Sequence, residues 1–171
     1  MFRLQQVDPK PTDLESKISP TKKVQITEVP VEKQNSESIL VHPKAEVYAV
    51  TRLEQHLVQA YRKWMESKGV KIVRHRVYPE GEANPLFTDA FDKLRNNLIE
   101  AKGSATRESI RMAIGQLADY GRFFQPKPQL AVLLPLRPPK DLENLLLAQH
   151  IYVVWHAQQI GFSDNASGAF T

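Results

Sequence analysis

The chain contains no cysteine at all. That excludes disulfides, zinc–thiolate sites and a cysteine nucleophile. It also lacks any apolar run near the length of about 18 residues that a membrane helix needs. No membrane span is therefore expected. Residues Met1 to Lys10 contain polar and charged groups and offer no apolar stretch of the signal-peptide kind, so no secretory signal is expected. A cytoplasmic setting follows as the expectation. No Gly-x-Gly loop and no Gly-Lys-Ser occurs, which speaks against nucleotide-driven chemistry. His42, His56, His75, His150 and His156 show no paired spacing, which speaks against zinc. Ser104 and Ser109 have no evident His/Asp context, so a serine hydrolase has little support.

What is present is an ordinary globular composition. The 171 residues are 42% hydrophobic and 25% charged, enough for one domain and a tail. The net charge is +4. Residues 1–46 hold seven Lys/Arg against seven Asp/Glu, so the whole excess lies in the later part. A basic globular part suits a polyanion such as nucleic acid.

Residues 1–46 are broken by Pro9, Pro11, Pro20, Pro30 and Pro43 and are rich in Lys, Ser, Glu and Thr. They are expected to form a flexible leader or linker, because they bury too little apolar surface to offset ordering. Within them Val24 to Val29 alternates, a pattern that suits a strand added against a partner. The domain is expected over 47–157. Val50, Leu53, Leu57, Tyr61 and Trp64 mark one face of a first helix, which Gly69 ends. Val70 to Tyr78 reads as a strand carrying Lys71, Arg74, His75 and Arg76. After a loop at Pro79, Gly81 and Pro85, Leu86–Asp92 and Asn97–Gly103 read as two strands, joined by a turn at Lys93–Asn96.

A second helix spans about Ala105 to Phe124, with Ile110, Ala113, Leu117 and Tyr120 inward. Leu130 to Leu134 is a short apolar strand of the doubly buried kind. Pro138 and Pro139 open a third helix containing Leu142, Leu145 and Leu146. Ile151 to Trp155 is the last strand, giving a right-handed parallel unit. Residues 158–171, rich in Gly, Ser and Asn, are expected to fray. The order helix-strand-strand-strand-helix-strand-helix-strand describes an α/β domain with a mixed central sheet flanked by helices.

The chemistry concentrates between Thr88 and Gly103. A turn centred between Leu94 and Arg95 places Asp89 directly across from Glu100, on one sheet face. Lys102, two residues beyond Glu100, shares that face. Opposed carboxylates repel, and a divalent cation removes the objection. Mg²⁺ takes hard oxygen ligands, often one or two carboxylates plus water and phosphate oxygens. The backbone carbonyl of Ala101 is a further candidate ligand. Lys102 is then placed to orient an attacking water or offset phosphate charge. Metal, activated water and a positioned cation are the parts that phosphodiester hydrolysis needs. Asp92 is a competing acid, but this register pairs it with Asn97 and turns it away from Glu100.

The arrangement Asp89, ten intervening residues, then Glu100-Ala101-Lys102 resembles the PD-(D/E)XK nuclease superfamily, whose fold is restriction-endonuclease-like. The order of elements from Val47 to Trp155 is similar too. Two features resemble its RecB-like branch. One is an acid on the first helix, Glu54; the other is Gln116-Leu117-Ala118-Asp119-Tyr120, a Gln-x-x-x-Tyr on the helix after the lysine strand. Thr88 stands where the family has proline. The resemblance implies a nuclease that hydrolyses DNA with Mg²⁺ or Mn²⁺. Asp89, Glu100 and Lys102 would be catalytic. Asp89, Glu100, Ala101 and Glu54 would hold metal, and Gln116, Tyr120 and Arg111 would contact substrate. Arg74, His75 and Arg76 would flank the phosphate path, and so short a chain would act with a partner protein, as a homodimer, or on damaged, foreign or structured DNA. Each residue also has a plainer reading: Glu54 as a helix-edge charge, Gln116 and Tyr120 as a hydrogen bonder and a core aromatic, and Arg107, Arg111 and Arg122 as a solvated face. The rival function is a non-catalytic nucleic-acid-binding or protein-interaction module on the same fold.

Overall fold

The structure, a computed structural model, describes residues 24–31 and 45–171, with side chains of the first helix described from residue 52. Most of the expected leader, and the side chain of Val50, lie outside the described residues. The elements are β1 (Gln25–Val29), α1 (Ala45–Ser67), β2 (Ile72–Tyr78), β3 (Leu86–Phe87), β4 (Ala90–Asp92), β5 (Asn97–Ala101), α2 (Arg107–Gly121), β6 (Gln129–Leu134), α3 (Lys140–Ala148), β7 (Ile151–Ala157) and β8 (Gly161–Asp164). They form one mixed sheet in the order β1-β2-β4-β5-β6-β7-β8, with β3 pairing to β2. Among the described residues, no helix is long and apolar enough to cross a membrane.

β5, β6 and β7 are parallel, and every other pairing is antiparallel. Parallel neighbours need a crossover, and α2 and α3 supply the two. The apolar run of β6 explains itself by its two faces. Ala131 and Leu133 join a core cluster with Leu57, Tyr61 and Met65 of α1. Val132 and Leu134 join a second cluster with Ile110, Leu117 and Leu146 of α2 and α3. The sheet is thus covered on both faces, as an α/β sheet must be when its central strands are parallel.

α1 is rotated from the expected stripe. Leu57, Val58, Tyr61 and Met65 are buried, whereas Leu53 is 56% exposed. Trp64 lies at the margin, tilted against Phe162. It closes over Gly161, where an added Cβ would lie 2.1 Å from the indole nitrogen and φ is +88°. Only glycine satisfies both constraints. α2 follows expectation: the Thr106 hydroxyl accepts from the Ser109 N–H, capping the helix, and Ile110, Ala113, Leu117 and Tyr120 face inward.

Three expectations are corrected. Val24–Val29 is not a strand awaiting a partner, because β1 pairs antiparallel with β2 from Gln25↔Tyr78 to Val29↔Arg74. The single strand expected over Leu86–Asp92 is two pieces. β3 pairs Phe87 with Arg76 while β4 pairs Phe91 with Val73, a register slip of one residue at Thr88–Asp89. This is a β-bulge. It explains why Leu86 and Phe91, an odd number of residues apart, pack in the same core cluster.

Nor does the 158–171 tail fray. Residues 161–164 form β8, and Phe170 is fully buried. The Tyr61 hydroxyl donates to the Phe170 carbonyl at 2.6 Å, and the Asn97 amide donates to the Ala169 carbonyl at 2.8 Å. Asp164 accepts from the Ala166, Gly168 and Phe170 N–H groups and the Thr171 hydroxyl. One buried aromatic and one saturated carboxylate offset the ordering entropy of a Gly- and Ser-containing segment.

Candidate functional site

β2 and β5 are both antiparallel to β4, so they run in the same direction. The carboxyl ends of β2, β5, β6 and β7 therefore share one edge, the edge at which open α/β sheets collect ligands. Asp89, Glu100 and Lys102 come together there. The β4–β5 register, Ala90↔Ile99 to Asp92↔Asn97, extends to Asp89 opposite Glu100, as the hairpin count expects.

The bulge aims Asp89. Thr88 is bound at both ends: its N–H donates to the His75 carbonyl at 3.0 Å, and its hydroxyl accepts from the His75 N–H at 2.9 Å. Asp89 Oδ2 then accepts from the Ala101 N–H at 2.9 Å. The N–H of Lys102 bonds across to the Leu133 carbonyl. Ala101, the alternate residue of the ladder, consequently turns its own N–H and C=O towards the Asp89 side. Glu100 Oε1 accepts from Lys102 Nζ at 2.7 Å. Glu54 reaches the same edge from α1 and accepts from the Gly103 N–H at 3.2 Å.

Electrostatically the cluster is short of positive charge. Glu100 is 3% and Lys102 5% exposed. Burial and the neighbouring Asp89 push the Glu100 carboxyl up to about 8, against the opposing Lys102. Burial raises Asp89 as well, and the Ala101 N–H, Lys102 and Arg74 only partly offset it. Glu54 is also raised, by burial first, with Lys102 and the Gly103 N–H opposing. Three acids held against ionisation at one sheet edge is an arrangement that folding alone does not favour.

Gln116 and Tyr120 stand on the helix face above this edge. Tyr120 is 9% exposed and packs in the core beneath α2. Burial and then the Glu100 charge raise its hydroxyl, with the nearby Gln116 amide opposing. Gln116 Oε1 is buried with no hydrogen-bond partner. Arg111 lies on the exposed side of α2 and makes no contact with the acids. Asp92 is 1% exposed but caps the turn through the Leu94 and Arg95 N–H groups, away from the edge.

His75 does not flank a phosphate path. It is 7% exposed and wedged between Phe91 and Phe124, with ring centroids at 4.8 and 5.1 Å. Burial lowers its pKa. Arg74 donates from Nε to the Thr88 carbonyl at 2.8 Å and lies over the Phe87 ring. Thr88 itself escaped sequence reasoning. Its role depends on the bulge, and no local motif marks a bulge inside a run that otherwise alternates.

Among the described residues, no group of three or more His, Asp and Glu side chains is already arranged to hold a metal ion. Lys102 occupies Glu100, and main-chain N–H groups occupy Asp89 and Glu54. No protein-family model, curated protein or solved structure matches the chain.

Proposed function

We propose that this chain is a metal-dependent nuclease of the PD-(D/E)XK kind, on a restriction-endonuclease-like fold, hydrolysing phosphodiester bonds in DNA. The observation that carries the proposal is the convergence of Asp89, Glu100 and Lys102 on one sheet edge, with Glu54 arriving from α1. The donor set fits a hard divalent cation, Mg²⁺ or Mn²⁺. Its side chains are all carboxylates, buried at Glu100 and half-buried at Asp89 and Glu54, and all are raised in pKa, by burial first. Asp89, Glu100 and Glu54 would hold the ion, with the Ala101 carbonyl on the same side. When bound, such an ion neutralises charge on the phosphate and acidifies water.

The chain's own residues do the rest. Lys102 Nζ, now on Glu100 Oε1, supplies the positioned cation for the attacking water and the scissile phosphate. Tyr120 and Gln116 close the α2 side, and the unsatisfied Gln116 Oε1 offers an acceptor to an incoming donor. Glu100 and Lys102 are shielded from bulk water, which strengthens the charge interaction between them.

A second reading has its own observation. With Lys102 locked onto Glu100 and no ready metal group among the described residues, the same edge suits a binding module without catalysis. Wild type and Lys102→Ala, incubated with DNA in Mg²⁺, Mn²⁺ or EDTA, separate the two. Metal-dependent cleavage that falls about 10²- to 10³-fold in the variant supports the nuclease. Absence of cleavage by a folded wild type, with DNA binding retained, moves the assignment to the binding module.

A further inference from the structure

β2 alternates in a way its role in the core does not require. Val73, His75 and Val77 are buried on one face; Arg74, Arg76 and Tyr78 are half-exposed on the other. The Arg76 guanidinium lies 5.4 Å from the Tyr78 ring, and the Arg74 guanidinium 4.9 Å from the Phe87 ring. Phe87 is the cross-strand partner of Arg76 and is also half-exposed. Two cations and two aromatic rings thus alternate on one surface. Among the described residues Arg76 makes no ion pair, and its Nε is buried with no hydrogen-bond partner. The ladder begins at the candidate site, where the Arg74 charge acts on Asp89. It runs outward with β2 for roughly 13 Å to Tyr78.

We infer that this face is a track for single-stranded DNA, with bases stacking on Tyr78 and Phe87 and the backbone drawn by Arg76 and Arg74. The inference rests on the proposed nuclease and names its substrate as an unpaired strand. Sequence-tolerant stacking plus basic residues is the general solution for unpaired nucleic acid. Geometry favours a single strand over a duplex. The ladder lies on the α1 face, whereas Glu100 and Lys102 alternate onto the α2 face, so the polymer must turn over the sheet edge between them. An unpaired strand makes that turn easily, and a duplex is far too stiff.

The test uses the full chain in EDTA, which separates binding from cleavage. Fluorescent oligo(dT) and a hairpin duplex of equal length are titrated at low and high salt. The expected result is preference for oligo(dT). Tyr78→Ala and Phe87→Ala should each weaken binding by about tenfold, and the Trp variants should restore it. Arg76→Ala should reduce the salt slope by roughly 0.7. Trp rescue excludes simple misfolding of the Ala variants. Preference for duplex, no binding, or binding unchanged in the Ala variants overturns the track. Metal-dependent cleavage by wild type is scored separately. Its absence alongside ring-dependent binding sinks the nuclease and leaves the track standing.

Discussion

Glu100 and Glu143 have the same surface exposure, 3% each, and each meets a basic side chain. Their surroundings differ. Glu143, on α3, accepts from Arg137 Nη2 at both oxygens at 3.1 Å and from the Asn165 amide at 3.0 Å, with Lys140 at 3.7 Å. The Arg137 hydrogen bonds outweigh burial, and the carboxyl is held below its ordinary range. Glu100 has one ammonium and faces Asp89 and Glu54, and its carboxyl is pushed up to about 8. Surface exposure is the same in both, but Glu100 lies deep among protein atoms and Glu143 lies shallowly, so depth and the count of donors against acids together make the difference. Glu143 is built as an anion that ties α3 to the end of β8. Glu100 is built as an acid awaiting positive charge, the pattern of a site whose strain is tolerated for function.

The sharpest way to break this contrast is to neutralise each glutamate alone. Glu100→Gln should lower metal-dependent cleavage by about 10²-fold or more. It should cost less stability than Glu143→Gln, because the Gln oxygen still accepts from Lys102 and the repulsion from Asp89 and Glu54 is relieved. Glu143→Gln should leave cleavage intact and destabilise by about 1–3 kcal/mol, a fall of several degrees for a chain this size. Equal destabilisation by both would dissolve the distinction.

The two regions should also titrate with opposite sign in metal-free protein. Glu143 and Asp164 have lowered folded pKa values. The stability they contribute is present above the unfolded carboxylate range and lost as pH falls through their folded values. Glu100 has a raised value, so the folded state keeps a proton that the unfolded chain releases. Its effect is a loss of stability as pH climbs from the ordinary glutamate value of 4.5 towards about 8. Denaturant titrations across this window should show that decline in wild type and a shallower one in Glu100→Gln. An unchanged slope would remove Glu100 as its source.

The same contrast explains what was legible in the sequence. The Asp89–Glu100 register could be counted, because hairpin pairing is set locally by the turn between Leu94 and Arg95. The α2 stripe and its Gln116 and Tyr120 face followed from periodicity. The bulge at Thr88–Asp89 was hidden, since a one-residue slip leaves no composition signal. The partners of Glu143 were hidden as well: Arg137 is near in sequence, but Asn165 arrives from a segment whose residues resemble a frayed end. Ile160, Phe162 and Phe170 were the large apolar groups there, and the pocket of Phe170 is made by Tyr61 and Tyr152, on other elements. Contacts of that kind depend on tertiary assembly, which local pattern does not encode.

The smallest effect tests how far donor surplus protects a carboxylate. Asp164 is raised by burial, yet the Gly168, Phe170 and Ala166 N–H groups and the Thr171 hydroxyl together hold it lowered. Thr171→Val deletes one of these four donors and keeps the shape. The loss should be about 1 kcal/mol at neutral pH, because three main-chain donors remain. The acid limb of the stability curve should move slightly upward in pH, since the folded Asp164 now takes its proton more readily. Calorimetry of both proteins from neutral to acid pH reads both effects. A loss several times larger would mean that the 165–171 segment hangs on this hydroxyl alone, and that the surplus around Asp164 is not shared among its donors.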